Sequence, residues 1–269
     1  MIADGQWQLT GNAAELYESV LVPTVFQPWA ADLVELADLR HGERVLDVAC
    51  GTGVVTRLAA QHVGTTGEIT GLDPNAGMLL VARSLPAPPG APVTWVEASA
   101  LAMPLPDASF DVVLCQQGFQ FFPDRRAGLQ EMKGVLVPGG RVLLSLWEGP
   151  TPYTVAMSAA VERHAGPEEA ATLRRSRHCP DPESVRHLME DAGFRDARTR
   201  ARTLTRRLPG IADFVLRHLA ATPVAGAVAA LSPGARAALA GEVSLALRPY
   251  ADGDGIVFPE VVNVVTAVR

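Results

Sequence analysis

Eight residues constrain this chain more than any others: Leu46-Asp47-Val48-Ala49-Cys50-Gly51-Thr52-Gly53. An apolar run with one acid inside it enters a Gly-x-Gly turn. Behind the turn, Val54, Val55, Leu58, Ala59 and Val63 recur at helical spacing. A strand that runs through a glycine turn into a helix makes a nucleotide-binding corner. Gly51 and Gly53 lack Cβ atoms, so the backbone there can bend sharply and lie against a ligand. A dinucleotide fingerprint wants a third glycine at position 56, where this chain has Thr56. Asp47 would also sit badly beside a pyrophosphate and suits a ligand that carries positive charge.

The rest of the first half repeats the strand–helix theme. Residues 12–40 read as two helices broken near Val22-Pro23. Expected strands are Arg44–Ala49, Glu68–Asp73, Val93–Glu97, Phe110–Cys115 and Arg141–Trp147. Helices are expected from Val54, from Pro74-Asn75 through Ala82, and from Asp124 to Leu136. Regular alternation specifies a parallel sheet covered on both faces. Ligands then bind outside the carboxyl ends of the strands, and Asp47, Asp73, Ser99, Gln116 and Trp147 lie near such ends. The second half is less regular. Helices are read over Tyr153–His164, Pro182–Ala192, Ile211–Ala221 and Ala235–Leu247, and strands over Ala197–Leu208 and Ile256–Val268.

Composition narrows the classes of function. The formal charge of -6 supplies no basic field, which argues against nucleic acid as a partner. Cys50, Cys115 and Cys179 are few, odd in number and without metal spacing, so no metal centre and no disulfide framework is expected, and a cytoplasmic setting is. Met1 is followed by neither a basic region nor a long apolar stretch, so no secretion signal and no membrane span is expected.

Four segments in register resemble the class I S-adenosylmethionine-dependent methyltransferases. Leu46–Gly53 resembles their first motif, and Gly71-Leu72-Asp73-Pro74-Asn75 with Met78 their second. Pro104–Val113 resembles the approach to their fourth strand, and Leu136–Arg141 the entry to the fifth. The resemblance spans roughly residues 40–147 and implies an α/β fold: a doubly wound, seven-stranded, mostly parallel sheet whose last strand runs antiparallel, with helical lid insertions. It implies one domain over 1–269, with N-terminal helices over the cofactor (1–40), a cofactor-binding core (41–147) and lid helices at 148–180 and 209–252.

The implied cofactor is S-adenosyl-L-methionine. Its expected contacts are Tyr17, Asp47, Ala49, Gly51, Gly53, Asp73, Pro74, Met78, Ala98, Ser99, Ala100 and Gln116. An aspartate ending the second strand can accept two hydrogen bonds from a ribose diol. Asn75 and Met78 are placed to flank the adenine. Ser99 stands where the family commonly has an acid for the adenine amino group. Each residue also has a structural use: Asp47 can cap the turn, Asp73 and Ser99 can cap the segments after them, and Tyr17 can simply pack. Phe26, Trp29, Gln120, Phe121 and Trp147 are the candidates for an apolar acceptor pocket. His164, His178, His218 and Glu148 are the candidate bases, needed only where the acceptor must lose a proton.

The expected reaction is methyl transfer by in-line displacement to a small, largely apolar acceptor, such as a natural product or a quinone-like ring. The alternatives are a cyclase or decarboxylase that keeps the cofactor without transferring methyl, and a dinucleotide-dependent oxidoreductase. A homodimer is permitted and not required.

Overall fold

The computed structural model describes Leu9 and residues 12–269. The opening of the 1–40 segment, including the stretch after Met1, lies outside those residues. The elements follow in chain order. A short α1 (Ala13–Leu16) runs into a π-helical stretch (Tyr17–Phe26) and then α2 (Gln27–Ala37). The alternating core comprises β1 (Arg44–Val48), α3 (Val54–Val63), β2 (Glu68–Asp73), α4 (Ala76–Ser84), β3 (Val93–Glu97), β4 (Phe110–Gln116), α5 (Arg125–Val135) and β5 (Leu136–Trp147). Beyond it come α6 (Pro152–His164), α7 (Pro167–Arg175), α8 (Pro182–Asp191), β6 (Arg195–Leu208), α9 (Ile211–Ala220), α10 (Ala225–Ala230), α11 (Pro233–Ala246), β7 (Ala251–Asp252) and β8 (Gly255–Val268).

Seven long strands form one sheet in the order β3-β2-β1-β4-β5-β8-β6, and the two-residue β7 pairs with β8. The pairs among β1 to β5 are parallel. β8 runs antiparallel between β5 and β6. This is the doubly wound, mostly parallel sheet that the alternation predicts. The central strands are apolar on both faces because helices cover both. Val45, Leu46, Val48, Val112, Val113 and Leu114 are all fully buried.

The break expected near Val22-Pro23 does not occur. Residues 13–37 form a continuous helical run, with Pro23 inside the π-helical part. Proline has no N–H, so an ordinary α-helical ladder cannot pass through it unchanged. The wider π repeat carries the chain past that gap, and such bulges recur at functional sites.

β6 and β8 pair from Arg195–Val268 out to Leu208–Ile256, whereas β5 pairs with β8 only as far as Trp147–Val262. The two long strands therefore project past β5 as a ribbon. α6, α7, α9 and α11 pack with that ribbon and the N-terminal helices in one apolar core that includes Val25, Trp29, Tyr153, Met157, Phe214, Leu239 and Phe258. A second core, with Leu46, Phe119, Leu129 and Met189, fills the opposite face.

Trp95 on β3 explains two glycines. A Cβ on Gly71 would come within 2.6 Å of the Trp95 ring, and one on Gly53 would overlap it. Gly53 also has φ +86°, a left-handed conformation that disfavours any Cβ. Gly53→Ala should therefore lower stability by about 1–3 kcal/mol, the usual range for overpacking, as read by urea unfolding. An unchanged midpoint at an unchanged slope would contradict this packing argument.

Candidate active site

One cavity opens above the carboxyl ends of the parallel strands. Tyr17, Leu21, Val25 and Phe26 of the π-helical stretch line one side. Ala49 and Gly51 enter from the turn after β1, and Asp73, Pro74, Asn75 and Met78 from the end of β2. Ser99 and Ala100 follow β3, Gln116 ends β4, and Gln120, Phe121 and Trp147 complete the strand rim. Thr154 and Met157 of α6, Leu173 of α7, and His218 of α9 close the far wall with Ser176, Arg177 and Thr222.

Asp73 organises the near end. Its Oδ2 accepts the Gly51 N–H at 2.8 Å and its Oδ1 accepts the Asn75 N–H at 2.8 Å. Each carboxylate oxygen keeps further acceptor capacity. Burial raises the Asp73 carboxyl above the ordinary aspartate range, with the two N–H bonds working the other way. Asn75 caps α4 by accepting the Gly77 and Met78 N–H groups. Ser99 is both a cap and a lining residue, its hydroxyl accepting the Leu101 N–H at 3.2 Å.

Two lining residues are held in unusual backbone conformations. Ala49 has φ +57° and Gln117 has φ +47°. Such strain persists where the surroundings enforce it, commonly at ligand sites. Gly118 makes room for it, since a Cβ there would lie 2.5 Å from that of Ala49.

Three glutamines leave acceptors without a protein partner. Gln116 donates Nε2 to the Phe26 carbonyl at 3.0 Å, Gln117 donates to Ser145 Oγ at 2.8 Å, and Gln120 donates to the Ser176 carbonyl at 3.3 Å. The buried Oε1 of each has no partner among the described residues. For Gln116 and Gln120 the orientation is fixed, because a carbonyl can only accept.

The far wall is built on charge. Glu260 of β8 is 3% exposed. Its Oε2 accepts the Trp29 indole N–H at 2.7 Å and the Arg206 Nε at 3.0 Å. Its Oε1 accepts Arg177 Nη1 at 3.0 Å. Burial alone would raise this carboxyl, but the arginines overturn that and hold it below the ordinary range. Arg206 also donates to the Thr24 and Val25 carbonyls at the end of the π-helical stretch. His218 meets the Tyr153 hydroxyl through Nδ1 at 3.1 Å. Burial, helped by Arg177, depresses its ring to about 3, so it is neutral near pH 7.

The methyltransferase-domain family model matches residues 45–140. The ubiquinone/menaquinone biosynthesis C-methyltransferase UbiE of Stutzerimonas stutzeri (strain A1501) is 33% identical over 196 residues, which is 67% of this chain and 76% of that protein. This chain is a class I S-adenosylmethionine-dependent methyltransferase. The same-named protein of Hahella chejuensis (strain KCTC 2396) is 34% identical over 178 residues, 65% of this chain and 70% of that one. Among solved structures, the fold is shared with a putative methyltransferase from an antibiotic biosynthesis pathway of Anabaena variabilis (TM-score 0.62, 15% identity, 90% of this chain and 97% of that one). It is also shared with Haemonchus contortus phosphoethanolamine N-methyltransferase 2 in complex with S-adenosyl-L-methionine (TM-score 0.59, 19% identity, 95% of this chain and 56% of that one).

The cofactor of this methyltransferase is S-adenosylmethionine, and the near end of the cavity suits it. A buried carboxylate with spare lone pairs matches a diol, and the unpartnered Gln116 Oε1 matches an ammonium. Several residues singled out from the sequence lie elsewhere. Asp47 is 1% exposed beneath the turn, where Oδ2 accepts both the Thr56 N–H at 3.0 Å and the Thr56 hydroxyl at 2.6 Å. Thr56, the residue that breaks the dinucleotide pattern, is thus what holds Asp47. Gly53 starts α3 under Trp95, and Ala98 packs in the second core. Trp29, 1% exposed, is a core residue that reaches Glu260 and not the cavity. His164 pairs with Glu242 at 2.9 Å, while His178 and Glu148 are exposed and line no part of the cavity. Of the four candidate bases, the methyltransferase brings only His218 to its site.

Arg177, Arg206 and Glu260 carry no motif. The one sequence signal was Glu260 itself, the lone charged residue in the mostly apolar run Ile256–Val268.

Burial raises the Asp47 carboxyl to about 7. From roughly pH 4 up to that value the unfolded chain has lost this proton while the folded chain keeps it. Stability from this site is therefore greatest below the ordinary aspartate range and falls as pH rises toward 7. Asp47→Asn should remove that loss, so wild type should weaken relative to the variant between about pH 4 and about pH 7 in urea unfolding. Parallel pH profiles would contradict the assignment.

Proposed function

We propose that this enzyme methylates a small, largely apolar, ring-sized acceptor seated between the sheet rim and the inserted helices. The observation that carries this reading is the lining of the far end. Leu21, Val25, Phe26, Phe121, Trp147, Met157 and Leu173 converge there from the N-terminal helix, the strand ends and the insertions. Phe26 sits between Tyr17 and Trp147, with ring centroids 4.9 Å and 6.2 Å away. An enclosed aromatic wall of this kind favours a flat apolar molecule. The relatives' names, which speak of ubiquinone and menaquinone C-methylation, support a quinol-like ring methylated at carbon.

In this reading Asp73 holds the ribose hydroxyls. Gly51 and Ala49 offer backbone groups to the amino-acid tail, and Gln116 Oε1 accepts from its ammonium. Tyr17 closes over Gly51, its hydroxyl 3.9 Å from where a Cβ would stand. Pro74, Asn75 and Met78 face the adenine on one side, with Ser99 and Ala100 on the other. When bound, the cofactor supplies a sulfonium-activated methyl group for in-line displacement. The protein's share is alignment and exclusion of water, effects worth on the order of 7–11 kcal/mol in favourable systems. His218 is neutral and tethered to Tyr153, so it serves as a hydrogen-bonding partner for the acceptor and not as a proton store.

Asp73→Ala should weaken S-adenosylmethionine binding by about ten- to a hundred-fold, the value of hydrogen bonds to a charged group. Calorimetry reads this directly, and unchanged affinity would contradict the assignment. Transfer of isotope from labelled methyl to ring acceptors separates methylation from a cyclase or decarboxylase reaction that keeps the label on the cofactor. A blank across oxygen, nitrogen and carbon acceptors would count against the proposal.

A further inference from the structure

The far end of the cavity holds more positive charge than its own carboxylate answers. Arg177 and Arg206 share one buried partner, Glu260. Two cations against one anion leave the cluster with one positive charge in excess. The other ionisable groups that face Arg177 do not cancel it. His218 and Tyr153 are neutral, Cys179 is a thiol pushed up to about 11 by burial, and Arg125 near that thiol adds positive charge. Asp32 is taken by Arg202 at 3.0 Å, and Asp73 lies at the near end of the cavity.

Arg177 is also only partly engaged. Its guanidinium carbon lies 3.8 Å from the Trp147 ring centroid, and Nη1 reaches Glu260. Among the described residues its Nη2 and Nε make no hydrogen bond, while the residue lines the cavity. The neighbouring hydroxyls are committed elsewhere, Thr154 to the Thr151 carbonyl at 3.1 Å and Thr222 to the Leu219 carbonyl at 2.7 Å. Beside Arg177, the Ser176 carbonyl accepts Gln120 Nε2, which leaves the Oε1 of that cavity-lining glutamine without a partner among the described residues. A desolvated guanidinium with free donors is costly alone and well matched by an oxyanion, which its planar fork engages along two N–H bonds.

We propose that the acceptor carries an ionised oxygen that Arg177 holds against the Trp147 face, and that this contact selects the substrate. The inference rests on the methyltransferase acceptor reading above and deepens it. An uncharged ring of the same size is then a poor ligand, and the positive sulfonium of the cofactor reinforces the preference. Gln120 Oε1 accepts from a neutral hydroxyl or amine elsewhere on the same ring.

The test uses the full chain loaded with S-adenosylhomocysteine, with naphthoate, naphthol and uncharged naphthamide as probes. Wild type should bind naphthoate, or naphthol as its anion, about ten-fold or more tightly than naphthamide, as a charge-assisted contact gives. Comparing the naphthoate and naphthol affinities distinguishes a carboxylate from a phenolic oxygen as the preferred group, and either result supports the proposal. Arg177→Met should bring the ratio near one while leaving S-adenosylhomocysteine and naphthamide affinities in place. Arg177→Lys should keep part of the preference, because it keeps the cation. If the methionine variant does not fold, Arg177→Gln takes its place in the same ratio.

Equal binding of charged and neutral probes by wild type would overturn the proposal, as would a preference that survives loss of the arginine. So would lost S-adenosylhomocysteine affinity with methylthioadenosine affinity kept, since Arg177 would then serve the amino-acid tail of the cofactor. If the wild-type protein failed to bind S-adenosylhomocysteine at all, the methyltransferase site itself would be in question, and that result is separable from the others.

Discussion

A single buried carboxylate joins four stretches of chain that are far apart in sequence. Glu260 on β8 takes the Trp29 indole of α2, the Arg206 guanidinium of β6 and the Arg177 guanidinium that comes after α7. Arg206 extends the link to the carbonyls that end the π-helical stretch. The far half of the cavity exists because these parts are held together. Removing Glu260 from this group leaves two buried guanidiniums unanswered, typically a loss of about 3–5 kcal/mol. The cluster is therefore a structural clamp that also fixes where Arg177 and Trp147 stand.

The cavity has opposite character at its two ends. The near end is set by the parallel sheet. Strands β1 and β2 stop side by side, and Asp73 bridges the turn after one and the helix start after the other. The far end is set by the ribbon β6–β8 and the inserted helices, which add apolar surface and an excess of positive charge. A cofactor with a diol and an ammonium suits the first end, and a flat acceptor with an oxyanion suits the second.

Features of the fold and site are legible in the sequence to the extent that they are local. Gly51, Asp73 and Met78 line the cavity and were legible because strand, turn and helix succeed one another within a short span. The parallel sheet covered on both faces followed from alternation, and the final antiparallel strand from the family resemblance; the order of the strands came only with the structure. Asp47 and Gly53 were legible as part of the turn, but their neighbours across space were not. Asp47 meets Thr56 and Gly53 meets Trp95, so both serve the turn from beneath. Trp29 read as a pocket aromatic because nothing in its helix reveals Glu260, 231 positions away. The π-helical passage of Pro23 was hidden for a different reason: proline reads as a break wherever the wider repeat is not foreseen. The basic run Arg174-Arg175-Ser176-Arg177-His178 has the composition of a solvated helix face, and only tertiary packing turns Arg177 inward.

In the proposed binding mode the nucleoside of the cofactor lies at the Asp73–Met78 end, with its sulfonium methyl directed toward the inserted helices. Nuclear Overhauser contacts from S-adenosylmethionine labelled with carbon-13 at the methyl group test it most directly. Contacts are expected from the labelled methyl to Trp147 or Met157, and from the adenine protons to Met78. Contacts from the sulfonium methyl to Met78, with none to the far wall, would contradict it.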